Sequence, residues 1–175
     1  MQVRVRSTGA VMFDHEFRQL QTGLGFPKEP LTEAILNEWG ADIVFEGPQA
    51  SGGTVYQYSM RDGVVQIGDK WYTNYILGPV FTDTPASEGQ PAKTAAENEA
   101  EYKAMKDAEQ AANVRRTRTE KLKDCDWVVT KAIDQNAQDN LGIQIPVVWV
   151  TYRQALRDVP TQAGFPWTIT WPDAP

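Results

Sequence analysis

The residues that could perform chemistry are few, and their spacing does not assemble a site. The chain has 175 residues, with a single histidine, His15, and a single cysteine, Cys125. His15 stands between two acidic residues, but neighbouring side chains point apart, and a histidine-based zinc or iron site needs further ligands. Cys125 is flanked by two aspartates, which disfavour its reactive thiolate form. We therefore expect no metal, no cofactor and no catalytic nucleophile.

Charged residues give no stronger indication of catalysis. Glu97 and Glu101 are one helical turn apart, but catalytic carboxylate pairs lie in a walled cleft, whereas these two belong to a segment rich in lysine. The basic cluster Arg115–Arg118 has acidic residues around it. The net charge is -6 and the sequence pI about 4.8, which weighs against binding to a phosphate backbone. We expect neither an enzyme nor a nucleic-acid-binding protein.

The remaining sequence-wide counts restrict the class further. One cysteine cannot form an internal disulfide, and no apolar run approaches the roughly 20 residues of a membrane span. The first residues lack the apolar segment of a secretory signal. The glycines at 23–25 and 52–53 lack the Lys-Ser/Thr of a phosphate loop and read as turns. These features predict a folded cytosolic protein without a membrane partner, whose work is binding.

Aromatic residues are the candidates for that binding. Four of the six tryptophans lie in residues 125–175, and a unit of that size cannot easily bury them all. A single aromatic residue is more often part of a core, but Trp, Tyr and Arg are the residues that protein interfaces concentrate. The candidate partner-binding residues are Tyr56, Tyr58, Trp71, Tyr152, Arg153, Phe165, Trp167 and Trp171.

The elements that position these residues fall into successive regions. Residues 1–80 predict a small antiparallel β-rich domain with two short helices, and its clearest signal is a three-stranded meander over 54–60, 64–67 and 71–77. Turns at 61–63 and 68–70 separate the three strands. Residues 81–92 contain two prolines and a glycine, which predict a linker.

Residues 93–124 predict a long helix that starts with a capping box between Thr94 and Glu97. Its acidic residues come first and its basic residues last, as the helix dipole favours. The apolar positions are mostly alanine, so the helix is either a spacer or a strand of a small coiled coil through which the chain self-associates.

Residues 125–175 predict a small helical module with an extended aromatic tail. A helix begins near Pro146 and ends near Pro160, after a polar turn at 136–142. The apolar residues of 165–171 alternate, as in an extended segment. We expect a core formed by Trp127, Trp149, Tyr152, Leu156 and Phe165, fixed by polar contacts of Arg153, Arg157 and Asp158. The predicted fold class is α+β.

The C-terminal third resembles the phage tail assembly chaperone domain of tail fibre assembly proteins. The resemblance is carried by the basic residues ahead of Asp126-Trp127, by the segment from Trp149 to Pro160 with its Tyr-Arg-Gln-Ala-Leu-Arg-Asp run, and by Gly164-Phe165-Pro166 followed by Trp171-Pro172. The family usually has serine where this chain has Cys125, and the loop between Trp127 and Trp149 also departs from the family pattern.

The resemblance implies a non-enzymatic protein that binds a tail fibre in the host cytoplasm and helps it to fold and trimerise. Before assembly, trimeric fibres expose unpaired edges and apolar seams, and a protein that covers them lowers aggregation. Some members of the family remain on the virion tail. The alternative is a structural virion component: a fibre or baseplate adaptor, or a fibre-tip cap that contacts a host receptor. A fibre-associated hydrolase is disfavoured, because the sequence shows no acid/base pair.

Overall fold

The computed structural model describes residues 1–21, 25–27, 30–140 and 142–175. The chain divides into two compact units, Met1–Val80 and Phe81–Pro175. The first unit combines a sheet with two short helices and the second is helical, which confirms the predicted α+β class. Of the turn predicted at 23–25, Gly23 and Leu24 lie outside the described residues.

The first unit is built on a five-stranded sheet in the order β2-β1-β3-β5-β4. The strands are β1 (Gln2–Val5), β2 (Val11–Phe13), β3 (Ala41–Phe45), β4 (Tyr58–Ile67) and β5 (Lys70–Gly78). Three neighbouring pairs of strands are antiparallel, but β3 and β5 pair in parallel. The sheet is therefore mixed, and the sequence did not indicate this because hairpin signals report only pairing between consecutive strands.

Two short helices cover one face of this sheet. Helix α1 (Asp14–Leu20) and helix α2 (Glu33–Glu38) bring Phe17 and Leu36 against Val3 of β1, and all three side chains are fully buried. Val3 and its alternate neighbour Val5 face this core, as the apolar alternation of the first strand predicted.

The predicted three-stranded meander is wrong, because residues 58–67 form one strand rather than two. Asp62 and Gly63 lie in a bulge of β4 between Arg61 and Val64, not in a turn. Gly63 has φ +71°, which only glycine adopts readily, so the extra residues are accommodated inside the strand. The second predicted turn, at Gly68, joins β4 to β5.

The second unit begins with a small hairpin where the sequence predicted a linker. Thr84 pairs with Lys93, and Ser87 pairs with Gln90. The hairpin is attached to the helix that follows: the Asp83 carboxylate accepts from the backbone N–H of Ala95 at 2.7 Å.

A bent helix of 45 residues follows the hairpin. Its parts are α3 (Ala95–Asp124) and α4 (Asp126–Asp139), and they meet at Cys125. The predicted capping box is confirmed, since the Thr94 backbone N–H donates to the Glu97 carboxylate at 2.7 Å, and the Glu97 N–H donates to the Thr94 hydroxyl at 3.3 Å. The polar turn predicted at 136–142 starts too early, because α4 continues to Asp139 and ends at Asn140 in the left-handed conformation. Of that predicted turn, Leu141 lies outside the described residues.

Helix α5 (Val147–Asp158) follows Pro146 and continues into a single 3₁₀ turn, Val159–Thr161. This agrees with the helix predicted between Pro146 and Pro160. The helix buries Tyr152 and Leu156, four residues apart on one face. The remaining residues, 162–175, form the tail of the unit.

Candidate functional site

The junction between α3 and α4 is fixed by Arg153 of α5. Its guanidinium donates to the backbone carbonyl of Leu122 at 3.2 Å, to the Cys125 sulfur at 3.0 Å and to the Asp126 carboxylate at 2.8 Å. The Cys125 thiol in turn donates to the Leu122 carbonyl at 3.1 Å. The Leu122 carbonyl also accepts from the Cys125 backbone N–H at 3.3 Å, so Arg153 adds to the bonds at the bend and positions α5 against it.

The electrostatics of this junction favour a charged arginine beside a neutral tyrosine. Burial works to lower the pKa of Arg153, but the hydrogen bonds to Asp126 and Cys125 outweigh it, so that the pKa is raised. Burial raises the pKa of Tyr152, and Cys125 and Asp124 raise it further. Arg153 was predicted as a polar support of the module, and it is one. It is also only 13% exposed, so it is a structural residue of the site.

The core of the second unit differs from the predicted one, because it includes Cys125 and does not include Trp127 or Phe165. Tyr152 and Leu156 are buried with Cys125, and Trp149 is half-buried against them. Trp127 was predicted to belong to this core, but its side chain is 55% exposed. It lies at the edge of the core, where its ring meets Trp149 edge-on at 5.7 Å between ring centres.

Exposed apolar side chains lie on α4 and in the first turn of α5, beside the half-buried Trp149. We call Trp127, Val147, Trp149 and Val150 together the apolar patch. Val147 is 78% exposed and Val150 is 49% exposed. The two valines are three residues apart on α5, on the face opposite the buried Tyr152. Val148, also exposed, adds apolar surface on another side of the same turn.

Sequence reasoning missed the valines of this patch. A signal was present, because Val147-Val148-Trp149-Val150 makes the first turn of α5 apolar on every side. A helix that is apolar all round is typical of a buried segment, but all three valines of this turn stay exposed. Large exposed apolar patches mark protein interaction sites, so the patch is the strongest candidate site of the second unit.

The three aromatic residues predicted at the tail lie against α3. The Trp167 indole N–H donates to the Asp107 carboxylate at 2.5 Å. The Arg115 guanidinium lies 5.2 Å from the centre of the Phe165 ring, and the Lys121 ammonium lies 5.6 Å from a ring centre of Trp171. All three aromatic side chains are half-buried. The tail thus packs on the long helix of its own unit and presents only part of its aromatic surface to solvent.

A tight loop, not an extended segment, starts the tail. The Gly164 carbonyl accepts from the backbone N–H groups of Trp167 at 3.0 Å and Thr168 at 2.7 Å. The Gln162 side-chain amide donates to the Thr170 carbonyl and accepts from the Thr170 N–H, both at 2.8 Å. These four hydrogen bonds close residues 162–170 into a loop, so the predicted alternation over 165–171 does not describe an extended strand here.

The aromatic residues predicted in the first unit differ in exposure. Tyr58 is 56% exposed on β4. Tyr56 is half-buried in the segment before that strand. Trp71 is half-buried on β5, and the Arg4 guanidinium lies 3.8 Å from its ring centre. The three are therefore not equally open to a partner: Tyr58 exposes more than half of its side chain, and Tyr56 and Trp71 expose less.

Two further results concern the described residues only. They contain no group of three or more His, Cys, Asp or Glu side chains that could hold a metal ion. None of their helices has the length and apolar character that a membrane span requires.

On α3, the residues buried within the unit are Ala111 and Val114, while Met105 is 54% exposed.

Comparison with known proteins gives one family. Residues 111–175 match the family model described as phage tail assembly chaperone protein. The matched segment starts within α3 and includes α4, α5 and the tail, so it contains the whole apolar patch. Neither the curated proteins nor the solved structures gave a significant match.

Proposed function

We propose that this chain, whose residues 111–175 match the phage tail assembly chaperone family model, binds the tail fibre protein and assists its folding and trimerisation. The observation that supports the proposal is the coincidence of the family match with the apolar patch. The client would be held in the host cytoplasm, before it joins the tail, and the chain would act by binding alone, without an enzymatic step.

In the proposed complex, the apolar patch covers an apolar surface that the unassembled fibre subunit exposes. An unassembled fibre subunit exposes the apolar seams that its two partner subunits will later cover. Val147, Val150 and Trp127 give up water-exposed apolar area when they contact such a seam, which is favourable by about 25 cal/mol per Å². The gain is moderate, so the client can leave when the other fibre subunits arrive.

The rigidity of the site contributes to binding. Arg153 fixes the middle of α5 against the helix bend through three hydrogen bonds, and Trp149 is held between Trp127 and Tyr152 by edge-on ring contacts. A preorganised surface loses little side-chain entropy when a partner binds. We therefore assign Tyr152 and Arg153 to the support of the patch, and the valines with Trp127 to the contact itself.

The experiment is co-expression of the tail fibre protein with and without this chain, followed by measurement of soluble, correctly folded trimer. The wild-type chain is expected to raise the yield. The double variant Val147→Ser/Val150→Ser removes the outer half of the patch and is expected to weaken client binding by about tenfold or more. Circular dichroism of the variant is expected to equal that of the wild type, because both valines are exposed.

The matched control is Val55→Ser/Val80→Ser, which changes two valines of the first unit that are 57% and 62% exposed. It is expected to support fibre folding as well as the wild-type chain does. Equal trimer yields with and without the chain would refute the chaperone role. A loss in both double variants alike would show that the effect is general solubility and not binding at the patch.

A further inference from the structure

The outer edge of β4 is an interaction surface that the proposed function does not use. The sheet order places β4 at one edge, and no strand among the described residues pairs with its outer side. The opposite edge, β2, is three residues long, whereas β4 has ten. A long edge strand presents a row of unpaired backbone donors and acceptors, which is a template for pairing with another strand.

The turn after β4 determines which backbone groups point outward. Ile67 and Lys70 are paired across a two-residue turn that starts at Gly68, with φ +64°. The residues that flank a two-residue hairpin turn form a hydrogen-bonded pair, and such pairs alternate along an antiparallel ladder. Ile67 and Val65 therefore direct their N–H and C=O groups toward β5. Gln66, between them, directs its N–H and C=O groups to the open side.

The side chains around Gln66 are complementary to a second copy of themselves. Val65 and Ile67 lie on one face of the strand and are 39% and 56% exposed. If two Gln66 residues face each other across a two-fold axis, Val65 of each copy stands opposite Ile67 of the other. These would be non-hydrogen-bonded pairs, in which side chains approach most closely, and pairs of β-branched residues there stabilise a sheet.

We propose that two copies of this chain pair antiparallel through β4, with the two-fold axis at Gln66, so that the two sheets continue into one. The partner strand is β4 of a second copy, because with Gln66 opposite Gln66 the open backbone groups match and Val65 of each copy lies opposite Ile67 of the other. The bulge at Arg61–Val64 ends the pairing on one side, and the turn at Gly68 ends it on the other. Such a short interface gives a weak dimer, with a dissociation constant on the order of 100 µM.

The first test is sedimentation velocity of the full chain over a series of concentrations. The wild type is expected to dimerise. The variant Val65→Lys/Ile67→Lys places four ammonium groups against one another in the dimer and is expected to raise the dissociation constant at least about tenfold. Tyr58→Lys is the matched control, since Tyr58 is as exposed as Ile67 on the same strand but lies beyond the bulge. It is expected to dimerise like the wild type.

The second test fixes the register. Opposed residues of a hydrogen-bonded pair have Cα atoms about 5.5 Å apart, within the range that a disulfide spans. Gln66→Cys is therefore expected to give a covalent dimer under mild oxidation, whereas Tyr58→Cys stays monomeric. The native Cys125 is buried and does not interfere.

A chain that remains monomeric at all concentrations would overturn this proposal. So would a dimer that both lysine variants preserve, since that result would place the contact elsewhere, such as on α3. Equal cross-linking of the two cysteine variants would reject the register. None of these outcomes bears on fibre binding by the apolar patch, so this proposal and the chaperone role stand or fall separately.

Discussion

Substitution of Gly164 by alanine tests whether the loop at the start of the tail contributes to the stability of the second unit. A Cβ atom at Gly164 would lie 2.0 Å from the Thr168 carbonyl oxygen, whereas ordinary contact begins near 3.4 Å. The obstacle is backbone and cannot rotate away, so the loop must open. Opening removes the hydrogen bonds that the Gly164 carbonyl accepts from Trp167 and Thr168.

The expected loss of unfolding free energy follows from these hydrogen bonds. Each backbone hydrogen bond contributes about 1 kcal/mol net, so losing both, with part of the Gln162–Thr170 closure, lowers the unfolding free energy of the second unit by about 2–4 kcal/mol. Release of the loop also frees Trp167 from Asp107. Urea unfolding followed by far-UV circular dichroism reports this change, because α3, α4 and α5 dominate the signal.

Gly89→Ala is the matched control. Gly89 belongs to the same unit and has φ +80°, but nothing lies within 4 Å of a Cβ placed there. Its cost is that of a left-handed alanine, about 1–2 kcal/mol. If Gly164→Ala unfolds at the same urea concentration as the wild type, the loop does not hold the tail, and the reasoning fails. If it costs no more than Gly89→Ala, the steric argument is wrong.

Three smaller predictions concern single side chains. Cys125→Ser keeps a donor to Leu122 and an acceptor for Arg153 and is expected to stay near wild-type stability in urea, whereas Cys125→Ala is expected to lose about 1–2 kcal/mol. Hydrogen bonds from Thr94 lower the pKa of Glu97. The stabilisation that the Glu97 carboxylate gives the helix is therefore present above the ordinary glutamate pKa and is lost as the pH falls through the lowered pKa. In Glu97→Gln, the loss of helicity with acid is expected to be flatter over that pH range. The pKa of Tyr152 is raised, so the contribution of its neutral side chain to stability is present below the ordinary tyrosine pKa and is lost as the pH rises through the raised pKa. Tyr152→Phe is expected to leave stability at pH 7 unchanged and to reduce the loss of stability at alkaline pH. An unchanged alkaline unfolding profile would contradict this.

Much of the local structure could be predicted from the sequence because its determinants are local. The capping box of Thr94 and Glu97, the uninterrupted run of helix-forming residues after it and the helix that follows Pro146 depend on neighbours within a few positions. The prediction of a three-stranded meander failed because a glycine can fit more than one local backbone structure. Gly63 fits a tight turn and a bulge equally well, and pairing with β5 on both sides of it selected the bulge.

The candidate site depended on longer-range contacts. Trp127 and Trp149 are chemically alike, yet Trp127 is 55% exposed and Trp149 is half-buried, because Trp149 packs against the core of Cys125, Tyr152 and Leu156. The tail aromatics alternate as an exposed strand would, but Asp107, 60 residues away in sequence, holds Trp167 against α3.

By itself, the sequence determined the α+β class, the long capped helix and the resemblance to phage tail assembly chaperones, since these depend on composition, periodicity and a contiguous motif. Only the tertiary structure decided which apolar side chains remain open to a partner. Burial is a property of what packs on a residue, and for Val147 and Val150 the face turned away from Tyr152 stays exposed. That surface is where we expect the client to bind.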